Sequence, residues 1–209
     1  ASLHGHDTVT LAQAMGLLAI VGDLSMGQPI DGSARASRLA ARVAAAAGCD
    51  AAACEHARMV ALLRWSGCTA NASGFAVLMG DDVGGRHALV SRTLNPRQAT
   101  QLADTTTLAE IHCEVSGDIA AMMGLPAAVE SGLRNVWEQV DGNGNPRRLR
   151  GDAVPDVVFH ANLGGDLEIL SRVHGAERAL EMVAQLGDVK YPARLVALVA
   201  PHVRAWLDE

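Results

Sequence analysis

Between Val136 and Pro155 the chain gathers side chains that could act together: Trp137, Glu138 and Asp141, then Arg147, Arg148 and Arg150. Gly142, Gly144, Pro146 and Gly151 punctuate the same stretch. No helix or central strand accepts that density of glycine and proline. The stretch therefore reads as one long shaped loop, a kind that is usually functional or unstructured. Its three arginines could dock an acidic ligand or a partner, although solvated turn charges are the commoner outcome for such a cluster.

Other signals weigh less. Gly142-x-Gly144 lacks the strand–turn–helix setting and the Lys-Ser/Thr of a phosphate-binding loop. Ser66-Gly67 lacks the Gly-x-Ser-x-Gly frame of a nucleophile elbow. Cys49, Cys54, Cys68 and Cys113 form no Cys-x-x-Cys pair, so they read as buried thiols in a reducing compartment rather than a zinc site. Cys68 reads as a small buried filler rather than a reactive thiol. His4-x-His6 is expected to belong to a frayed terminus. His56, His87, His174 and His202 have no partner spacing and read as surface or capping residues, while His160 follows the apolar run Val157–Phe159.

The elements that must position these groups are helical. Apolar residues recur at helical intervals from Leu11 to about Leu24, and Ser25 to Pro29 breaks the pattern. Asp31 or Ser33 can cap a second helix running to Ala47 and ended by Gly48. Asp50 starts a third through Leu63. Residues 69–85 read as a loop around a short helix, and Asn95-Pro96 marks a boundary. A cap at Thr105 to Thr107 leads into a helix ended at Gly124-Leu125-Pro126. A helix from Ala127 to Val140 enters the glycine loop. Gly164-Gly165 is expected to separate the residues after Pro155 from two short helices, the second running from Tyr191-Pro192 to Trp206.

With 209 residues, 49% apolar and only 3% aromatic, the chain can bury one substantial core and favours close helix packing over a β-sandwich. The fold class expected is all-α, a helical bundle with room for a small β-hairpin in the 141–155 loop. Residues 1–10 are expected to be a flexible N-terminus and 11–209 a single domain. A net charge of −6 argues against this domain gripping nucleic acid by itself. No apolar run approaches the roughly 18 residues of a membrane span, and the start lacks the plan of a signal peptide, so a cytoplasmic location is expected.

The glycine loop also resembles a family signature, the Asp-Gly-x-Gly-Tyr-Pro-x-Gly-Leu-x-Gly loop of HD-GYP phosphodiesterases. The match runs through Asp141, Gly142, Gly144, Pro146, Leu149, Gly151 and Pro155, with Asn145 where the family has Tyr. Gly27-Gln28-Pro29, Ala61 to Thr69, His112-Cys113-Glu114-Val115 and Tyr191-Pro192 follow in the family order. The resemblance covers roughly residues 11 to 206 and is closest to HD-domain phosphohydrolase-like domains found ahead of LuxR-type helix-turn-helix regulators.

That family implies histidines and aspartates converging on two or three divalent metals, which activate water and neutralise phosphate. Here the pattern departs. Arg64-Trp65 stands in place of the His-Asp pair, Cys68 in place of the Lys, Val136-Trp137 in place of a His-His pair, and Gly32 or Ser33 where another His opens the second helix. His112, Glu138, Asp141 and Asp166 (or, one register over, Gly165) remain. Neither Arg nor Trp ligates a metal, so no metal and no cofactor is expected, and no catalytic residue is assigned.

The resemblance instead implies a remnant pocket of Arg64, Trp65, His112, Trp137, Glu138, Asp141 and Asp166. Arg64 is expected to pair with Glu138 or Asp166 in place of the lost metal charge. His112 reads first as a satisfied interior histidine, with a stranded ligand or a ligand-binding group as alternatives. The function expected is a catalytically inactive HD-GYP-like regulatory domain, part of a transcriptional regulator, that senses a small anionic or planar ligand or dimerises. A homodimer is the expected assembly, with no nucleic acid and no membrane contacted by the domain. The alternative is a hydrolase, either metal-dependent or with reworked metal-free chemistry on Arg64, His112, Glu138 and Asp141.

Overall fold

A computed structural model describes residues 8–102 and 106–208. Among them every element is a helix, with no strand. His4, His6 and the expected cap residue Thr105 lie outside the described residues.

The first three helices follow their local signals. Helix α1 (Leu11–Ser25) opens on a capping box in which the Thr10 hydroxyl and the Gln13 side chain satisfy each other's backbone N–H. Helix α2 (Gly32–Ala46) is ended just before Gly48, whose φ of 83° suits a residue without Cβ. Asp50 caps α3 (Ala51–Leu63) by accepting from Ala53 N at 2.8 Å. The start of α2 is satisfied differently from the sequence expectation. Asp31 holds the cap position, but its carboxylate accepts from Arg35 rather than from a backbone N–H of the first turn. Instead the buried Asp23 of α1 accepts from Ser33 N and from Ser33 Oγ at 2.6 Å. Burial raises the Asp23 pKa, against the lowering effect of those bonds.

After α3 the chain departs from the expected loop. A 3-10 turn at Cys68–Asn71 leads into α4 (Ala72–Met79) and α5 (Asp82–Val90), which are separated at Gly80. Asp81 caps α5 by accepting from Gly84 N. Asn95 and Gln98 make a capping box for α6 (Pro96–Gln101), a helix where only a boundary was expected. Phe75 is the one buried apolar side chain of α4 to α6.

Helix α7 (Thr106–Met122) packs on α8 (Ala127–Arg134), which ends six residues short of the expected Val140. Helix α9 (Asp156–His174) passes unbroken through Gly164-Gly165. A Cβ on Gly164 would lie 2.4 Å from Ala40 N, so the glycine serves close approach of α9 to α2, not a break. Helix α10 (Ala176–Gln185) follows, and Pro201 divides the expected last helix into α11 (Ala193–Val199) and α12 (Val203–Leu207).

Two apolar clusters hold the bundle. Leu39, Val43, Val158, Leu163 and Leu167 join α2 and α9 to α10–α12. Val60, Leu63, Ala40, Val129 and Leu133 join α1–α3 to α7 and α8. The 141–155 loop forms no hairpin. Its bonds from Gly151 N to Val140 O (2.9 Å) and from Asn145 N to Trp137 O (3.1 Å) fold it back on itself. Among the described residues the sole β-type pairing is one bridge, Gly187 with Tyr191. No helix of the described residues is long and apolar enough to cross a membrane.

Candidate functional site

A cavity of about 500 Å³ opens between the end of α3, α7, α9, the glycine loop and a wall of α4, α5 and the residues after α5. Arg64, Trp65, His112, Trp137, Glu138 and Asp166 all border it. Asp141 does not: its carboxylate accepts from Asn143 N and Nδ2, both at 2.8 Å, in a turn of the loop.

Arg64 closes the C-terminal end of α3 and is 3% exposed. Its guanidinium lies over the Trp65 ring, 4.4 Å from the centroid. Gly165 makes room for it, since a Cβ there would fall 1.1 Å from Arg64 Nη1. The expected ion pair to Glu138 or Asp166 does not form. Asp166, Glu168 and Asp23 attract the cation, but each is engaged elsewhere. Asp166 holds Lys190 Nζ at 2.7 and 2.9 Å, Glu168 holds Arg35 and Arg172, and Asp23 holds Ser33. Among the described residues Arg64 Nε has no hydrogen-bond partner. Burial lowers the Arg64 pKa, yet guanidinium keeps its proton in proteins. The cavity is thus bordered by a buried cation without an ion pair among the described residues, a state that costs several kcal/mol in order of magnitude.

His112 on α7 is 1% exposed. Burial pushes its pKa down to about 4, so the ring is neutral at neutral pH. Its Nδ1 lies 3.4 Å from Cys68 Sγ, and its Nε2 has no partner. The reading of His112 as a fully satisfied interior histidine is corrected in part: among the described residues Nε2 meets no partner in good hydrogen-bond geometry, although the Arg64 backbone lies close enough to favour the protonated ring. Trp137 packs edge-on against His112 at 5.4 Å and, tilted by 36°, against Trp65 at 5.6 Å. The two indoles share a wall and leave the cavity open.

Glu138 has a different role from an acid or base. It is fully buried and accepts from Arg147 N at 2.6 Å and Leu149 N at 2.9 Å, one bond to each carboxylate oxygen. This demand turns the chain inward after Arg134 and explains the early end of α8. Cys68 is pushed up to about 12 by burial, which keeps it a thiol. Cys113 is buried as expected, whereas Cys49 and Cys54 are half-buried. His160 is buried away from the cavity lining.

Sequence reasoning missed Arg86, Arg92 and Lys190. With Arg64 they give the cavity four cations against the two acids Glu138 and Asp166, inside a chain of net charge −6. Arg86 is 1% exposed, bonded to Asp82 at 2.6 Å and Asn71 at 2.8 Å, and stacked 4.5 Å from the Phe75 centroid. The four-residue spacing of Asp82 and Arg86 was a usable helical-pair signal. Arg92 and Lys190 carried none.

The divalent metals of the family that the glycine loop resembles do not fit these residues. Among the described residues no three His, Cys, Asp or Glu side chains stand together as a metal site. A guanidinium and an indole occupy the ground, and Lys190 already neutralises Asp166. A hard divalent cation wants about six oxygen or nitrogen ligands.

No protein-family model matches the chain. Over 92 residues (44% of the chain) it is 26% identical to the 3'3'-cGAMP-specific phosphodiesterase 3 of Vibrio cholerae serotype O1, of which it covers 20%. It also resembles the crystal structure of a cyclic GMP-AMP specific phosphodiesterase of V. cholerae, with a TM-score of 0.73 and 19% identity. That match covers 95% of this chain and 50% of the other, so the chain spans about half the length of the solved relative. The expectation of a catalytically inactive regulatory domain is overturned here, because the protein matched in sequence and in fold is a phosphodiesterase. The chain has an all-α, HD-domain-like fold.

Proposed function

We propose that this chain is a hydrolase of phosphodiesters whose cavity supplies fixed positive charge where related enzymes use metal ions. The observation that carries the reading is Arg64, a buried cation without an ion pair among the described residues, bordering the cavity of a phosphodiesterase-like fold. Phosphoryl transfer is catalysed chiefly by positioning and by charge that meets the phosphoryl oxygens. Arg64 is held for that purpose by Trp65 and Gly165 before any substrate arrives.

A water oxygen attacks phosphorus, the bond from phosphorus to one ester oxygen breaks, and the leaving oxygen takes a proton from solvent. The attacking water gives up its proton to solvent in the cavity, while the neutral ring of His112 stays within the wall. Glu138 acts indirectly, by fixing the loop that closes the cavity.

The test is turnover of bis(p-nitrophenyl) phosphate and of a 3'3'-linked cyclic dinucleotide, with EDTA and then with added manganese, iron or magnesium. Hydrolysis that persists in EDTA and disappears in Arg64→Gln is expected. Absence of turnover under every condition, or turnover only on adding metal, would count against the reading.

A further inference from the structure

Arg92 follows α5 with its backbone in the left-handed region, at φ 57°. Bonds from Thr93 N to Ala88 O (2.9 Å) and from Arg92 N to Leu89 O (3.3 Å) end the helix in the arrangement usually given to glycine. A Cβ is disfavoured there and its absence is not. The conformation is nonetheless firmly held. Ser91 is fully buried, donates from Oγ to His87 O at 2.6 Å, and bonds Thr93 Oγ1 at 2.9 Å. From the end of α9, His174 Nε2 bonds Ser91 O at 2.8 Å.

What this strained residue presents is a free cation. Arg92 is exposed, borders the cavity, and forms no ion pair among the described residues. Its charge also reaches across to Tyr191, whose hydroxyl lies 3.4 Å from Asp166. Arg64 stands buried in the wall of the same cavity, so the two unpaired cations sit at different depths.

We infer that Arg92 is a specificity-determining residue, which binds a second anionic group of the substrate at the mouth while Arg64 takes the reacting phosphodiester. The inference rests on the hydrolase reading above. The cavity then prefers esters carrying two negative groups to those carrying one. It also explains why an arginine occupies a backbone position that suits glycine.

The test compares Arg92→Gly and Arg92→Lys with the parent chain on two probes: the p-nitrophenyl ester of thymidine 5'-phosphate, with one charge, and a linear dinucleotide bearing a 5'-phosphate. For Arg92→Gly the KM for the dinucleotide rises about tenfold and for the single-charge probe about two- to threefold, with kcat changed less than either. Arg92→Lys recovers part of the loss, and the melting temperature of Arg92→Gly does not fall. Equal KM changes for both probes, or a lower melting temperature with kcat reduced on both, would assign Arg92 to structure and overturn the inference. A parent chain active on both probes with Arg92→Gly unchanged overturns it alone. A parent chain that neither binds nor turns over either probe overturns the hydrolase reading as well.

Discussion

The guanidinium of Arg64 rests on the ring of Trp65, 4.4 Å from its centre, and this stacking takes the place of an ion pair. A cation–π contact is worth about 2 kcal/mol when desolvated, less than the cost of burying the charge. The residue is therefore a net liability to the fold.

Arg64→Met should raise stability by about 1–3 kcal/mol, as replacement of buried charges by apolar side chains often does. The same change should lower phosphodiester turnover at least about 100-fold, the usual effect of losing a preorganised charge. Urea denaturation and an initial-rate assay on one preparation measure both. A destabilised Arg64→Met would mean that the charge is compensated.

Gly165→Ala places a methyl group 1.1 Å from Arg64 Nη1. The arginine must leave its position over Trp65 or α9 must shift. Overpacking of this kind costs about 1–3 kcal/mol, and turnover should fall with it. Near-ultraviolet circular dichroism would report the altered surroundings of Trp65, and an unchanged spectrum with full activity would refute the steric argument.

Glu138→Gln puts an amide NH2 against one of two backbone N–H groups that now donate to carboxylate oxygens. Leaving a buried donor unmet costs about 1–3 kcal/mol. Amide hydrogen exchange at Arg147 and Leu149 should accelerate ahead of exchange in α9. Retained protection at both amides would show that the loop is pinned by something else.

His112 gives a pH signature. Its folded pKa, about 4, lies below the ordinary value of 6.5, so between those values the unfolded chain binds a proton that the folded chain does not. Stability is then fully present above pH 6.5 and declines as pH falls toward 4, by about 3 kcal/mol in order of magnitude. Denaturation of the parent and of His112→Leu at pH 7 and pH 4.5 should show a steeper acid loss in the parent. Parallel curves would place the proton uptake elsewhere.

Much of the scaffold was legible because its signals are local. Asp50, Gly48 and Thr10 mark helix ends through bonds made within a turn of themselves. The early stop of α8 and the continuity of α9 were not legible, since one answers to Glu138 gripping a loop and the other to Ala40 on a distant helix. In the site, a family pattern led to Arg64, Trp65, His112, Trp137, Glu138 and Asp166, which border one cavity. Asp141 fell outside it because its carboxylate closes a turn of its own loop. Arg92 left no trace in composition or spacing, because what distinguishes it is a backbone angle.

The two sides of the cavity are unequal. Helix α9 is buried along most of its length between α2 and α10, so its backbone opens only when the whole molecule does. Helices α4 to α6 hold one buried apolar side chain among them, and polar contacts such as His174 Nε2 with Ser91 O tie that side to the body. The wall that carries Arg92 thus rests on polar bonds, while the wall that carries Asp166 rests on the packed core.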